Sequence, residues 1–280
     1  MREMQKKKLN IGIALWNLNA KNLAEKIDKI AGWGFNCVSF LGGYFEDEFA
    51  ADIAARIKKH GLKVTFHLSF FGKNKERALR ELDGRIERIT TLLKTGKIKR
   101  NAKCICFDPA YFYKNKTVSI DYETTIAALK KLDGKVPGIK IGVENWILNS
   151  PVQEMRRIKT GIGGAKSGML LDLGHLNIAF RQGLIKELDY LSYFKALPFK
   201  IIELHIHDND GETDLHLPPG RGNTEFKKIF KALKESGRLS KNVILTFEIK
   251  PRLKDIKITD RKKMDEVLRS KKLIERLYQK

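Results

Sequence analysis

The residues of this chain that could do chemistry are its histidines and acids, and they keep company. Of six histidines, His67, His175, His205, His207 and His216 fall at or just past the ends of short apolar runs. His60 instead sits at a helix end, where it would face the negative pole of that helix. Asp108, Glu144, Asp172 and Glu248 each end an apolar run, and Asp208 and Asp214 follow the run that carries His205. A carboxylate at the end of an apolar strand is costly unless something neutralises it. One alone could be a helix cap, as Asp172 before the segment that follows, or half of an ion pair, as Glu248 with Lys250. Four of them ringed by imidazoles are more simply explained by a shared cation. Mixed nitrogen and oxygen ligation suits Zn2+, Mn2+, Co2+ or Fe2+ better than Ca2+ or Mg2+.

The elements that must position these groups are legible as periodicity. Eight apolar, β-rich runs occupy residues 9–15, 37–41, 62–68, 104–107, 140–143, 169–171, 201–206 and 243–247. Between them lie segments with helical spacing, such as Leu23, Ile27 and Ile30, or Ile53 and Ile57. Gly34, Gly61, Gly138 and Gly168 punctuate the starts of strands. Alternation of this kind implies parallel strands joined by helical crossovers. An open nucleotide-binding sheet would carry a glycine-rich loop after its first strand, and Leu15-Trp16-Asn17-Leu18 stands there instead. The expectation is one (β/α)8 TIM barrel domain over residues 1–280, with a basic tail at 1–8 and a closing helix after Pro251. Alternation in the seventh run puts Ile202, Leu204 and Ile206 under the helices and Glu203, His205 and His207 on the other face. His205 then points into the barrel mouth, and Glu203, deeper, reads as a structural buried acid.

Composition narrows the setting. The 280 residues are 42% hydrophobic, enough for one large core, and no apolar run approaches a membrane span. The basic N-terminus lacks the apolar stretch of a signal peptide, so a cytoplasmic protein with no membrane partner is expected. Cys37, Cys104 and Cys106 lie in apolar runs without a C-x-x-C pair and read as buried reduced thiols. A net charge of +22 suits a phosphate backbone, so DNA is a candidate partner. The lysines are interleaved with glutamate, however, which also suits the surface of a thermophile protein.

The motifs FHLSF, IGVENW, LLDLGHLNIA, LHIHDNDGETDLHLPPGRG and LTFEIKP together resemble the xylose isomerase-like TIM barrel superfamily over nearly the whole chain. That superfamily includes sugar and sugar-phosphate isomerases and epimerases and the endonuclease IV type of AP endonuclease. Resemblance to the first branch implies one divalent metal held by Glu144, Asp172, His205 and Glu248. It further implies that Glu144 and Glu248 flank the substrate carbon, one removing a proton and the other returning it. His175, His207 and Asp208 would contact sugar hydroxyls, and Arg221 would meet a phosphate. Resemblance to the second branch implies up to three zinc ions, drawing further on His67, Asp108, His175, Asp214 and His216. Asp108 stands where that branch has a histidine, and Phe70 matches an aromatic that it pushes into DNA. Against a DNA substrate, Glu46, Asp47 and Glu48 occupy the segment after the second strand and would repel phosphates. The resemblance thus implies a metal-dependent isomerase or epimerase first, an abasic-site phosphodiesterase second, and one to three metals. A catalytically silent binding protein is the reading that the intact carboxylate–histidine ring least supports.

Overall fold

Runs that read as apolar on both faces become strands buried on both faces, with helices covering the outside. The computed structural model describes residues 9–15, 23–41, 47–69, 75–114, 117–163, 167–249 and 261–279. In chain order these form β1 (Asn10–Leu15), α1 (Leu23–Gly32), β2 (Cys37–Leu41), α2 (Asp47–Lys59), β3 (Lys63–Leu68), α3 (Lys75–Thr95) and β4 (Ala102–Phe107). A hairpin follows, β5 (Tyr111–Lys114) and β6 (Thr117–Ile120), then α4 (Tyr122–Lys135), β7 (Lys140–Glu144) and α5 (Val152–Ile162). The remainder comprises β8 (Ser167–Asp172), α6 (Leu173–Arg181), α7 (Tyr190–Ala196), β9 (Ile201–Ile206), α8 (Phe226–Ser236), β10 (Leu239–Phe247) and α9 (Arg261–Gln279).

Eight strands close in the order β1-β10-β9-β8-β7-β4-β3-β2, and every neighbouring pair is parallel. The molecule is therefore a single-domain TIM barrel, with all strand C-terminal ends on one rim. The eight runs match the eight barrel strands. The hairpin, absent from the expected elements, is an antiparallel insertion on that rim. Its sequence signal is an aromatic run and a β-branched run two residues apart.

Strand β9 departs from simple alternation. Met169 pairs with Ile201, but Leu170 pairs with Glu203, so β9 carries one extra residue against β8. Ile202 consequently turns inward with Glu203, packing on Cys104, Cys106 and Leu170 and over Gly142 and Gly168. This corrects the expected outward placement of Ile202, while Leu204 and Ile206 do join the outer core. Glu203 is the buried structural acid anticipated: Thr65 (2.9 Å) and Thr246 (2.6 Å) donate to one oxygen and Cys104 (3.3 Å) to the other. All three cysteines are free and buried.

Asp47 and Glu48 open α2 rather than lying in a loop. Residues 1–8, 16–22, 42–46, Phe70, Lys250 and the segment to 260 lie outside the described residues. His60 ends α2 as expected, but its ring pairs with Asp28 on α1 as well as following the helix terminus. No helix among the described residues is long and apolar enough to cross a membrane.

Two glycines separate helix propensity from turn geometry. Gly84 lies inside α3 facing open space, whereas Gly237 stops α8 in the left-handed region with φ 67° and ψ 13°. In denaturant melts, Gly84→Ala should raise stability by about 0.5–1 kcal/mol. Gly237→Ala should lower it by about 1 kcal/mol. Shifts of the same sign would contradict these backbone assignments.

Candidate metal centre

Because the strands are parallel, their last residues converge. β3 delivers His67, β7 Glu144, β8 Asp172 and β9 His205. Asp108, His207 and Glu248 follow β4, β9 and β10, and His175 stands in the first turn of α6. The loop after β9 returns Asp214 and His216 to the same place. All five of these histidines are buried, as are Glu144, Asp172 and Glu248.

Two adjoining centres result. In the deeper one, His205 Nδ1 lies 2.7 Å from Glu248, 3.6 Å from Asp172 and 3.7 Å from Glu144. His67 Nε2 lies 2.8 Å from Glu144 and 3.1 Å from Asp108. Donor atoms of Glu144, Asp172, His205 and Glu248 all fall within 4.8 Å of one another, close enough to hold one ion. In the shallower centre, Asp214 stands 2.9 Å from His216 Nε2 and 3.6 Å from His175 Nε2. Both of these rings turn Nδ1 to a backbone carbonyl, His175 to Asn145 at 2.9 Å and His216 to Glu248 at 2.7 Å. A ring that donates through Nδ1 presents Nε2 as a ligand, the arrangement usual for metal-binding histidine. His207, Asp214 and His216 also form a group of ion-holding dimensions.

Hydrogen bonding does not satisfy the two centres by itself. Neither ring nitrogen of His205 has an aligned hydrogen bond, and neither do Glu144 Oε2 or Asp214 Oδ1, although all are buried. Native proteins seldom leave such groups unmatched. Converging lone pairs that do not bond to one another fit a divalent cation.

The surroundings explain why these residues stay in place. Asp172 caps α6 by accepting from His175 N at 2.7 Å while holding His207 Nε2 at 2.9 Å. Asn145, which sequence reasoning passed over, clamps β7 to β8 by accepting from Asp172 N (2.6 Å) and donating to Asp172 O (3.1 Å). His207 lies so close over Gly174 that a Cβ there would come within 1.9 Å of the ring. That is the physical need for glycine in DLGH. His216 adopts φ 50°, a strained conformation for a non-glycine residue that turns its ring inward. Tyr111 of the hairpin stacks on Trp146 just beyond Glu144, with centroids 4.9 Å apart, and neither was singled out in the sequence.

Two expected substrate contacts are placed otherwise. Asp208 accepts from the backbone amides of Asn209, Gly220, Gly222 and Thr224 at 2.9–3.0 Å, so its carboxylate organises the loop. Arg221 points outward and pairs with Glu266 on α9 at 2.8 Å. His207 is fully buried within the cluster.

Charges in the cluster are mutually enforced. Burial opposes ionisation of Asp172, but His175 and His207 outweigh it and hold the carboxyl well below its usual range. Glu144 is likewise lowered by His67 and His205 against burial, and Glu248 by His205. Asp108 goes the other way, because burial and Glu144 exceed the effect of His67. His67, His175 and His205 are raised despite burial by their carboxylate neighbours. His216 is raised to about 9, burial being overcome by Asp214, which is itself held low by His175 and His216.

Residues 27–270 match the xylose isomerase-like TIM barrel family, and the chain belongs to it. Two proteins of Methanocaldococcus jannaschii are similar over part of their length. MJ1614 is 32% identical over 147 residues (49% of this chain, 53% of that protein), and MJ1311 is 32% identical over 105 residues (36% and 34%). The chain thus spans about a third to a half of these curated relatives. Among solved structures, an L-ribulose 3-epimerase superposes with TM-score 0.72 at 17% identity, covering 97% of this chain and 95% of that one. A D-tagatose 3-epimerase-like protein gives 0.70 at 21% identity, covering 96% and 97%. D-allulose 3-epimerase from Methylomonas sp., solved with D-allulose, gives 0.70 at 15% identity with 98% of both chains covered. At these identities the likeness concerns the fold.

The charge pattern sets a pH signature for the protein stripped of metal. Raised histidines contribute stability that is full below their ordinary value near 6.5 and lost as pH rises through about 9 for His216. The lowered carboxylates contribute stability present above their ordinary range and lost on acidification. In chelator, the melting temperature should therefore peak between about pH 5 and 6.5 and fall toward pH 9. Asp214→Asn should flatten the alkaline limb; an unchanged limb would dissociate His216 from Asp214.

Proposed function

We propose that this protein is a divalent-metal-dependent isomerase or epimerase acting on a sugar or sugar phosphate by proton transfer next to a carbonyl. The observation carrying this reading is His205, whose ring nitrogens have no aligned hydrogen bond although they lie amid the carboxylates of Glu144, Asp172 and Glu248. Those four residues would hold Zn2+, Mn2+ or Co2+, which when bound supplies Lewis-acid polarisation of the substrate carbonyl. Glu144 and Glu248, from strands on different sides of the mouth, would act as proton acceptor and donor. Asn145 and His207 keep Asp172 oriented. Membership of the xylose isomerase-like family and likeness to sugar 3-epimerases support this assignment.

A second reading is favoured by a specific feature. His175, Asp214 and His216 present a second set of metal donors beside the first. With His67 and Asp108 they could support a polynuclear phosphodiesterase acting on abasic DNA.

Glu144→Gln should lower isomerase turnover by about 10²–10⁴-fold while the far-ultraviolet circular dichroism stays unchanged. Full activity in that variant would overturn the proton-transfer role. Metal content decides between the readings. One exchangeable metal per chain, with epimerisation of ketoses followed by chromatography, supports the first. Three tightly held zinc ions with incision of an abasic duplex would replace it by the second.

A further inference from the structure

A separate feature lies at the opposite end of the barrel from the metal centre. A cavity of about 430 Å³ opens between the last turns of α3 and α4, where the chain leads into β4 and β7. Its floor is apolar, made of Leu93, Val136 and Ile139, each no more than 7% exposed. Its rim carries Lys94, Lys99 and Lys135, all exposed.

The rim is electrostatically unfinished. Residues 94–100 contain Lys94, Lys97, Lys99 and Arg100 without one acid. None of the three rim lysines forms an ion pair with a described residue, whereas nearby Lys131 pairs with Asp83 at 2.6 Å. Lys94 and Lys135 also complement the negative poles of α3 and α4. That role leaves Lys99 unaccounted for, because it lies outside any helix. Lys97 sits beside them at φ 50°, where glycine would be the unstrained choice.

We propose that this cavity binds a small organic phosphate, its apolar or aromatic body on Leu93, Val136 and Ile139 and its phosphate among Lys94, Lys99 and Lys135. Three ammonium groups without a carboxylate suit a dianion better than a single carboxylate ligand, and lysine serves phosphate as a point charge. The volume falls in the range of small-molecule sites. A single-stranded nucleic acid fits less well, because no aromatic side chain lines the cavity to stack a base.

The test is a fluorescence titration of the metal-loaded protein with 1-naphthyl phosphate, with naphthol, inorganic phosphate and oligothymidylate as comparators. Saturable 1:1 binding is expected, at least tenfold tighter than for naphthol or inorganic phosphate. Lys94→Gln/Lys99→Gln/Lys135→Gln should weaken it at least tenfold. Lys227→Gln/Lys231→Gln/Lys234→Gln, which removes equal charge from the exposed face of α8, should change it less than twofold. No saturable binding, equal loss in both triple variants, or inorganic phosphate binding as tightly would each overturn the proposal. So would tighter, steeply salt-dependent binding of oligothymidylate, which marks a polyanion surface instead.

Discussion

Asp172 has no exposed surface, and a carboxylate so placed must have its charge answered within bonding reach. It is answered by the amide of His175 at the start of α6 and by the ring of His207 beyond β9, with the His205 ring 3.6 Å away on β9. These partners come from α6 and from β9 with the residue that follows it, so the position of one acid couples the entry of α6, the register of β9 and the orientation of two imidazoles. Gly174 permits the coupling, because any side chain there would occupy the space of the His207 ring. Removing a partner would leave a buried charge less fully compensated, which is costlier than the loss of one exposed ion pair.

Closure of the parallel sheet turns this local demand into a site. Strand ends separated by as many as 181 residues in the chain (His67 to Glu248) meet on one rim because every crossover returns to the same side. Below the rim, Glu203 ties β3, β4 and β10 to β9 through Thr65, Cys104 and Thr246. The extra residue in β9 lets Ile202 fill the space over Gly142 and Gly168 while His205 keeps its inward aim. The centre therefore rests on a packed floor, and its geometry derives from strands, with Asp214 and His216 as the loop-borne exceptions.

Those exceptions bear on the chemistry. The loop after β9 is held by Asp208, whose two oxygens take four backbone amides, and by the Asn177–Asn209–Asn223 hydrogen bonds. A loop braced this thoroughly can present Asp214 and His216 as firmly as a strand would. Of the described basic residues, Arg221 turns out to Glu266, and the lysine-rimmed cavity lies at the far end of the barrel.

Residue type and period alone marked the eight barrel strands, the closing helix, and the acids and histidines at or past the strand ends, among them His67, Asp108, Glu144, Asp172, His175, His205, Asp214, His216 and Glu248. They could do so because burial on both faces writes continuous apolar runs, and because a polar residue ending such a run has few other reasons to be there. Tertiary structure decided what depends on packing across strands. Ile202 faces inward because of a register shift against β8, and a register is a property of two strands. Asp208 and Arg221 looked like substrate contacts in the linear motif, but backbone amides one to sixteen residues along the loop and a carboxylate on α9 bond them. Asn145, Trp146 and Tyr111 acquire their roles only once β7, β8 and the hairpin stand side by side, since no spacing within one segment encodes a contact between segments.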